Sequence, residues 1–178
     1  KLLNTRVRFY GDEIAVVIAE DDLSAQHALE KIKVTYEEYP AFFTVQDAMK
    51  PEATPLHPDI RPTNVIVKTN YEVGSFDEAI KEPGLIKVEG DYQTPVVKHC
   101  HLEPVSSYAY MQDGKIVVVS ATQLPHIMRR IIAQALGIGA GEIRVIKPYI
   151  GGGFGNRQDA LVEPLAAYLT TQVGGRCV

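Results

Sequence analysis

The densest concentration of chemistry-bearing residues is YIGGGFGNRQD, residues 149–159, where four glycines surround Phe154. Glycine tolerates positive φ and has no Cβ, so such a loop brings backbone N–H groups close to a bound group. An apolar-alternating run over 142–147 precedes it, and a helical pattern over 160–173 follows. The free N–H groups and positive dipole end of a following helix would favour an anion or a polarised oxygen there. A ligand-cradling loop is one reading; a tight connection that only lets a helix pack on a sheet is the other. The two familiar phosphate loops fail on spacing. The dinucleotide fingerprint needs glycines at offsets 0, 2 and 5, and counting from Gly151 or Gly153 the third position is Asn156 or Gln158. No Gly-Lys-Ser/Thr triplet follows either.

Other candidates are sparser. Gln123 ends an apolar run and precedes a proline-started helix, and the C-terminal ends of strands are where α/β sheets hold ligands. If the strands before Gln123 and before the loop are neighbours, the Gln123 amide meets the loop's backbone donors in one pocket; otherwise Gln123 caps its own helix. His99 and His101 would share a face of an extended segment, but no further ligand follows at metal spacing. A packed, hydrogen-bonded role suits them better. Glu103, before Pro104, has no carboxylate partner for acid–base work, so a structural salt bridge is expected. There is no nucleophile elbow and no basic patch interleaved with aromatics. The candidate chemistry consists of hydrogen-bond donors without a base.

The elements that must position these groups follow from periodicity. Runs over 6–9 and 13–19 flank Gly11-Asp12, a hairpin signal. Asp22 is expected to cap a helix over 23–32, and 33–36 returns as a strand. Five prolines punctuate 40–62, around one short helix at 45–49. Strands are expected over 64–73 and 85–93, with Ser75 and Glu78 forming a capping box between them. A second hairpin pairs 105–112 with 115–121 across Asp113-Gly114. Pro125 opens a helix to Leu136, stopped by Gly137, with Ile127, Ile131, Ala135 and Leu136 on its buried face. A strand over 143–146 leads into the glycine loop. The last helix should bury Leu161, Leu165, Tyr168 and Leu169, with Pro164 near its first turns. The organisation is therefore α+β: a partial α/β domain over 1–41, a proline-rich linker over 42–63, and a mixed-sheet domain over 64–178.

The whole chain sets outer bounds. Its 178 residues, 46% apolar, can bury a core. No run is long enough for a membrane span, and no signal-peptide pattern opens the chain. A net charge of −4 argues against nucleic acid as the main partner. Cys100 and Cys177 show no metal spacing and suit a reducing compartment, so a cytoplasmic protein is expected. The absence of an initiator Met and the strand-like GGRCV at the end read as part of a longer polypeptide.

Taken together, HLEP, SATQLPH and GGGFGNRQD, with VRFYGDEIAVVIAEDDLSAQHALEKIKVTYEEYP near the start, resemble the molybdenum-binding large subunit of the xanthine dehydrogenase and aldehyde oxidase family, the molybdenum hydroxylases. The resemblance covers nearly the whole chain. It implies the C-terminal half of a hammerhead domain followed by the first part of a molybdopterin-binding domain. It also implies oxidative hydroxylation of a purine (xanthine- or hypoxanthine-like) or related N-heterocycle with water-derived oxygen. By the same resemblance Gln123 hydrogen-bonds an oxygen ligand of the molybdenum, Gly153, Phe154 and Gly155 lie against the cofactor, and Gln158 stands where xanthine-oxidising members carry a substrate-binding glutamate. An amide keeps hydrogen-bonding capacity there but carries no charge. The family's base glutamate is expected beyond Val178, so this stretch alone should have no hydroxylase activity and bind no molybdenum cofactor. Electrons would pass to [2Fe–2S] and FAD on partner subunits or domains, in an oligomeric complex without membrane or nucleic acid. An aldehyde- or carbon monoxide-oxidising member of the family is the alternative, and a non-enzymatic module binding an anionic metabolite is the alternative from another class.

Overall fold

The computed structural model describes residues 2–178, in two compact units: residues up to Lys33 together with Val96–Val178, and Val34–Pro95.

In the first unit the Asp113-Gly114 hairpin forms as its residues dictate. Both take positive φ, +50° and +73°, the twist that a two-residue hairpin turn requires. It joins β1 (Ser107–Gln112) to β2 (Lys115–Ser120) in antiparallel register, with Ala109 opposite Val118. The chain then crosses over through helix α4 (Pro125–Leu136) and returns as β3 (Ile143–Ile146), parallel to β2, with Val119 beside Ile146. The sheet order is β1-β2-β3. On the free edge of β1, Ala109 and Val178 exchange backbone hydrogen bonds of 2.8 and 3.0 Å. Helix α5 (Glu163–Gln172) packs on β1 and β2, and α4 on β3 and α5. The core between them is Ala109, Ile116, Val118 and Ile143 from the sheet, Met128, Ile132 and Ala133 from α4, and Ala166 and Ala167 from α5.

Helix α4 buries a different stripe from the expected one, and α5 buries Leu169 as expected but otherwise a different set. On α4 two adjacent apolar pairs compete, Ile127/Ile131 and Met128/Ile132; the structure fully buries the second and leaves the first half-buried. On α5 the small residues Ala166 and Ala167 let the backbone approach its neighbours, and Thr170 joins them by donating its hydroxyl to the Ala109 carbonyl at 2.7 Å. Leu161 falls outside the helix and Tyr168 is exposed.

Residues 2–33 reverse direction at Gly11 (φ +119°) as expected, but no ladder forms. The Asp12 carboxylate instead accepts from the Arg8 N–H at 2.6 Å and the Asn4 amide at 3.3 Å, and such local bonds compete with strand pairing. Helix α1 (Asp22–Leu29) is capped by Asp21, not Asp22: the Asp21 carboxylate accepts the Ser24 N–H at 2.8 Å.

The second unit carries helices α2 (Val45–Ala48) and α3 (Phe76–Ala79), capped by Thr44 and Ser75. Ser75 accepts the Glu78 N–H, but the Glu78 side chain pairs with Lys81 at 2.8 Å, so only half of the capping box is made. The expected strands at 33–36, 64–73 and 85–93 do not form paired ladders. Alternation makes a strand only where a neighbour supplies the ladder, and none does among the described residues. The proline-punctuated stretch is gathered by Asn64, whose amide nitrogen donates to the Ala48 carbonyl at 2.9 Å while its oxygen accepts the Leu56 N–H at 2.7 Å.

Candidate functional site

Because β2 and β3 are parallel neighbours, their C-terminal ends lie side by side. Gln123 leaves one and the glycine loop leaves the other, so the sheet itself brings them together. The Gly155 N–H donates to Gln123 Oε1 at 3.2 Å. That bond fixes the orientation of the amide, since only its oxygen can accept, and turns the Nε2 donors to the other side. Among the described residues Nε2 has no hydrogen-bond partner.

Each of the three consecutive glycines is pressed against a different side chain, while a Cβ on Gly155 would meet nothing within 4 Å. A Cβ on Gly151 would collide with the Glu103 Cβ; one on Gly152 would lie 2.7 Å from the His101 Cβ; one on Gly153 would lie 2.7 Å from Cδ and Oε1 of Gln123. Gly152 (φ +102°), Phe154 (φ +49°) and Gly155 (φ +93°) are left-handed. In Phe154 this is the uncommon case of a large side chain in that region. It leaves the ring 73% exposed and folds the main chain into a concave turn. The N–H groups of Gly152, Gly153 and Phe154 have no partner among the described residues, and Gly153 is buried. Successive backbone N–H groups in such a turn form an anion-binding concavity.

The expected helix N-terminus does not supply these donors. The loop runs into one 3₁₀ turn (Asn156–Gln158), and α5 starts only at Glu163. The loop's own N–H groups and the Gln123 amide are the donor set. Gln158 closes the 3₁₀ turn and is exposed beside it.

Behind the loop lies a brace that sequence reasoning missed. Arg157, 4% exposed, places Nη1 3.0 Å from Glu103 Oε2, and its Nη2 donates to the carbonyls of Glu103 at 2.5 Å and Pro104 at 3.2 Å. The same Glu103 oxygen accepts the Gly151 N–H at 2.7 Å. Glu103 thus makes the structural salt bridge expected of it. His101 is hydrogen-bonded on both ring nitrogens. Nδ1 lies 2.7 Å from the Glu103 carbonyl, which can only accept, so Nε2 receives the Asn156 amide at 3.2 Å. Among the described residues no group of three or more His, Cys, Asp or Glu could hold a metal ion; both cysteines are free. The carboxylate that accepts the Gly151 N–H, that of Glu103, is neutralised by Arg157. What remains is an array of neutral donors, suited to an anionic, oxygen-bearing group.

Residues 56–178 match the molybdopterin cofactor-binding domain family, and residues 1–40 match the aldehyde oxidase and xanthine dehydrogenase a/b hammerhead domain family. Among curated relatives, the putative xanthine dehydrogenase molybdenum-binding subunit XdhA of Escherichia coli is 43% identical over 98% of this chain and 23% of its own length. The nicotinate dehydrogenase large molybdopterin subunit of Eubacterium barkeri is 35% identical over 95% of this chain and 39% of its own. The solved aldehyde oxidoreductase of Desulfovibrio gigas superposes with a TM-score of 0.85 at 30% identity, covering 95% of this chain and 18% of that one. The chain therefore spans less than half the length of the relatives it matches. No described helix is long and apolar enough to cross a membrane.

Proposed function

The chain belongs to the xanthine dehydrogenase and aldehyde oxidase family of molybdenum hydroxylases, and from that premise we propose that Gln123 and the loop at 151–155 hold the oxygen-bearing face of its molybdenum–pterin cofactor. The observation that carries this reading is the hydrogen bond that seats the Gln123 amide against a glycine loop in which the N–H groups of Gly152, Gly153 and Phe154 have no partner among the described residues. When bound, the cofactor supplies a two-electron oxidation that places water-derived oxygen on a substrate carbon, with electrons leaving to [2Fe–2S] and FAD carried elsewhere in the enzyme. The part played by this chain is electrostatic. Gln123 Nε2 and the N–H groups of Gly152, Gly153 and Phe154 are donors fixed in advance, so charge developing on a facing oxygen is stabilised without reorganisation. The Arg157–Glu103 pair keeps a bare carboxylate away from that oxygen. The proton acceptor is proposed to come from sequence beyond Val178.

In the full-length enzyme Gln123→Ala is expected to lower turnover about 10²-fold, the usual effect of one such donor, with the protein still folded. Unchanged turnover would sink the reading.

For the substrate we propose a purine or related N-heterocycle, supported by the higher identity to the relative named for xanthine than to the solved aldehyde enzyme. Gln158, exposed at the end of the same turn, offers both a donor and an acceptor to a ring edge. Gln158→Ala should raise KM for hypoxanthine by about tenfold, the value of one polar contact, and leave turnover of a small aldehyde unchanged. Equal losses on both substrates would remove Gln158 from substrate recognition.

A further inference from the structure

We propose that Arg157 is a positioning residue which sets the register between Gln123 and the glycine loop, an inference that rests on the cofactor-binding reading of those two groups. Three segments of the chain, at 103–104, at 121–123 and at the end of the glycine loop, meet at this one residue. Its guanidinium holds the carbonyls of Glu103 and Pro104 and the Glu103 carboxylate, and Nη1 lies 3.5 Å from the Ala121 carbonyl. Its own carbonyl accepts the Gln123 N–H at 2.9 Å and the Thr122 hydroxyl at 3.3 Å. The main chain on either side of Thr122 is thus gripped by the same residue: Ala121 through the guanidinium, Gln123 through the backbone. The carboxylate that Arg157 orients then holds the Gly151 N–H at 2.7 Å, which fixes the first residue of the glycine run. Gln123 and the loop are tied to each other directly by a single hydrogen bond; Arg157 and Glu103 supply the rest of their alignment.

The residue type matters. A guanidinium presents its donors in a rigid planar fork, whereas an ammonium is a point charge on a flexible stem. Lysine at 157 keeps the charge beside Glu103 but cannot reach Glu103, Pro104 and Ala121 together. Glu103→Gln is the gentler variant. It retains an oxygen for the Gly151 N–H and removes only the charge that locks the fork.

The test uses the full-length subunit in its holoenzyme. Arg157→Lys, Glu103→Gln and Gln123→Ala are compared by molybdenum content, by kcat per bound molybdenum, by KM and by the Mo(V) electron paramagnetic resonance signal. Misplacing a reacting group by about 1 Å from a distance can cost about 10²-fold in rate. Arg157→Lys is therefore expected to lower kcat per molybdenum by about 10-fold to 10²-fold and to alter the Mo(V) signal, with KM within about twofold because uniform binding is untouched. Glu103→Gln should move both in the same direction by less. A purely structural Arg157 would reduce the yield of folded enzyme while leaving kcat per molybdenum and the Mo(V) signal at their wild-type values; that result overturns the proposal. If Arg157→Lys does not fold, Glu103→Gln decides by the same two readouts. Gln123→Ala separates the two claims. A loss there beside wild-type behaviour in the Arg157 and Glu103 variants rejects the positioning role alone. No loss in any of the three rejects the cofactor reading with it.

Discussion

Gly153→Ala in the full-length enzyme is expected to reduce turnover by about 10³-fold, the upper end of what an oxyanion-type donor set contributes, while the subunit remains folded. The cause is steric and local. Gly153 does not occupy the left-handed region, unlike Gly152 and Gly155, so alanine can adopt its backbone without strain. The added methyl, however, would sit 2.7 Å from both Cδ and Oε1 of Gln123, and Gly153 is buried, which leaves no room to yield outward. The amide has to swing away, losing its bond to the Gly155 N–H and carrying its Nε2 donors out of line with the loop. One methyl therefore takes the Gln123 amide out of line and presses on Gly153, whose own N–H belongs to the donor set, whereas Gln123→Ala removes the amide alone. Gly141→Ala is the matched control: nothing lies within 4 Å of a Cβ at that position, and its turnover should be unchanged. Wild-type turnover in Gly153→Ala would mean that the contact between this glycine and Gln123 has no part in the chemistry.

The convergence behind that prediction was legible in the sequence only as a conditional. Gln123 and the glycine loop each followed an apolar run, and both reach one place because β2 and β3 pair in parallel, a through-space fact that neither run states. Glu103 could be read as half of a salt bridge, but its partner, Arg157, is more than fifty residues away and sits among glycines that drew attention first. A lone arginine directly behind a glycine run, with one otherwise unexplained acid elsewhere, was the signal available. Local features were easier to read. The Asp113-Gly114 turn, the Pro125 start and the Gly137 stop of α4 all formed as their residues dictate. Unpaired strands were not readable, because alternation reports a face and not the presence of a neighbour. The buried stripes of α4 and α5 shifted where two apolar pairs, or alanine against leucine, offered competing faces. Packing volume decided between them, and a periodicity count does not contain it.

Glu163 shows the opposite separation, stability without chemistry. It opens α5 at 4% exposure, accepts the buried Ser120 hydroxyl at 2.6 Å through Oε1, and accepts the Leu161 N–H at 2.8 Å through Oε2. It ties the end of β2 to the start of the helix that covers it. Glu163→Ala strands a buried hydroxyl and a backbone N–H, each worth about 1–3 kcal/mol when unsatisfied, so a loss of about 3 kcal/mol and a clearly lower unfolding temperature are expected. Glu163→Gln should be much milder. Its carbonyl oxygen can serve the Leu161 N–H, which is only a donor, while its amide donates to Ser120, whose hydroxyl can rotate to accept. Because Glu163, among the described residues, makes no hydrogen bond or ion pair with Gln123 or the glycine loop, turnover per bound molybdenum should hold in both variants. Thermal unfolding and molybdenum-normalised kinetics on the pair check this. A glutamine variant as unstable as the alanine one would show that the carboxylate's charge, rather than its two acceptor oxygens, holds this corner of the domain.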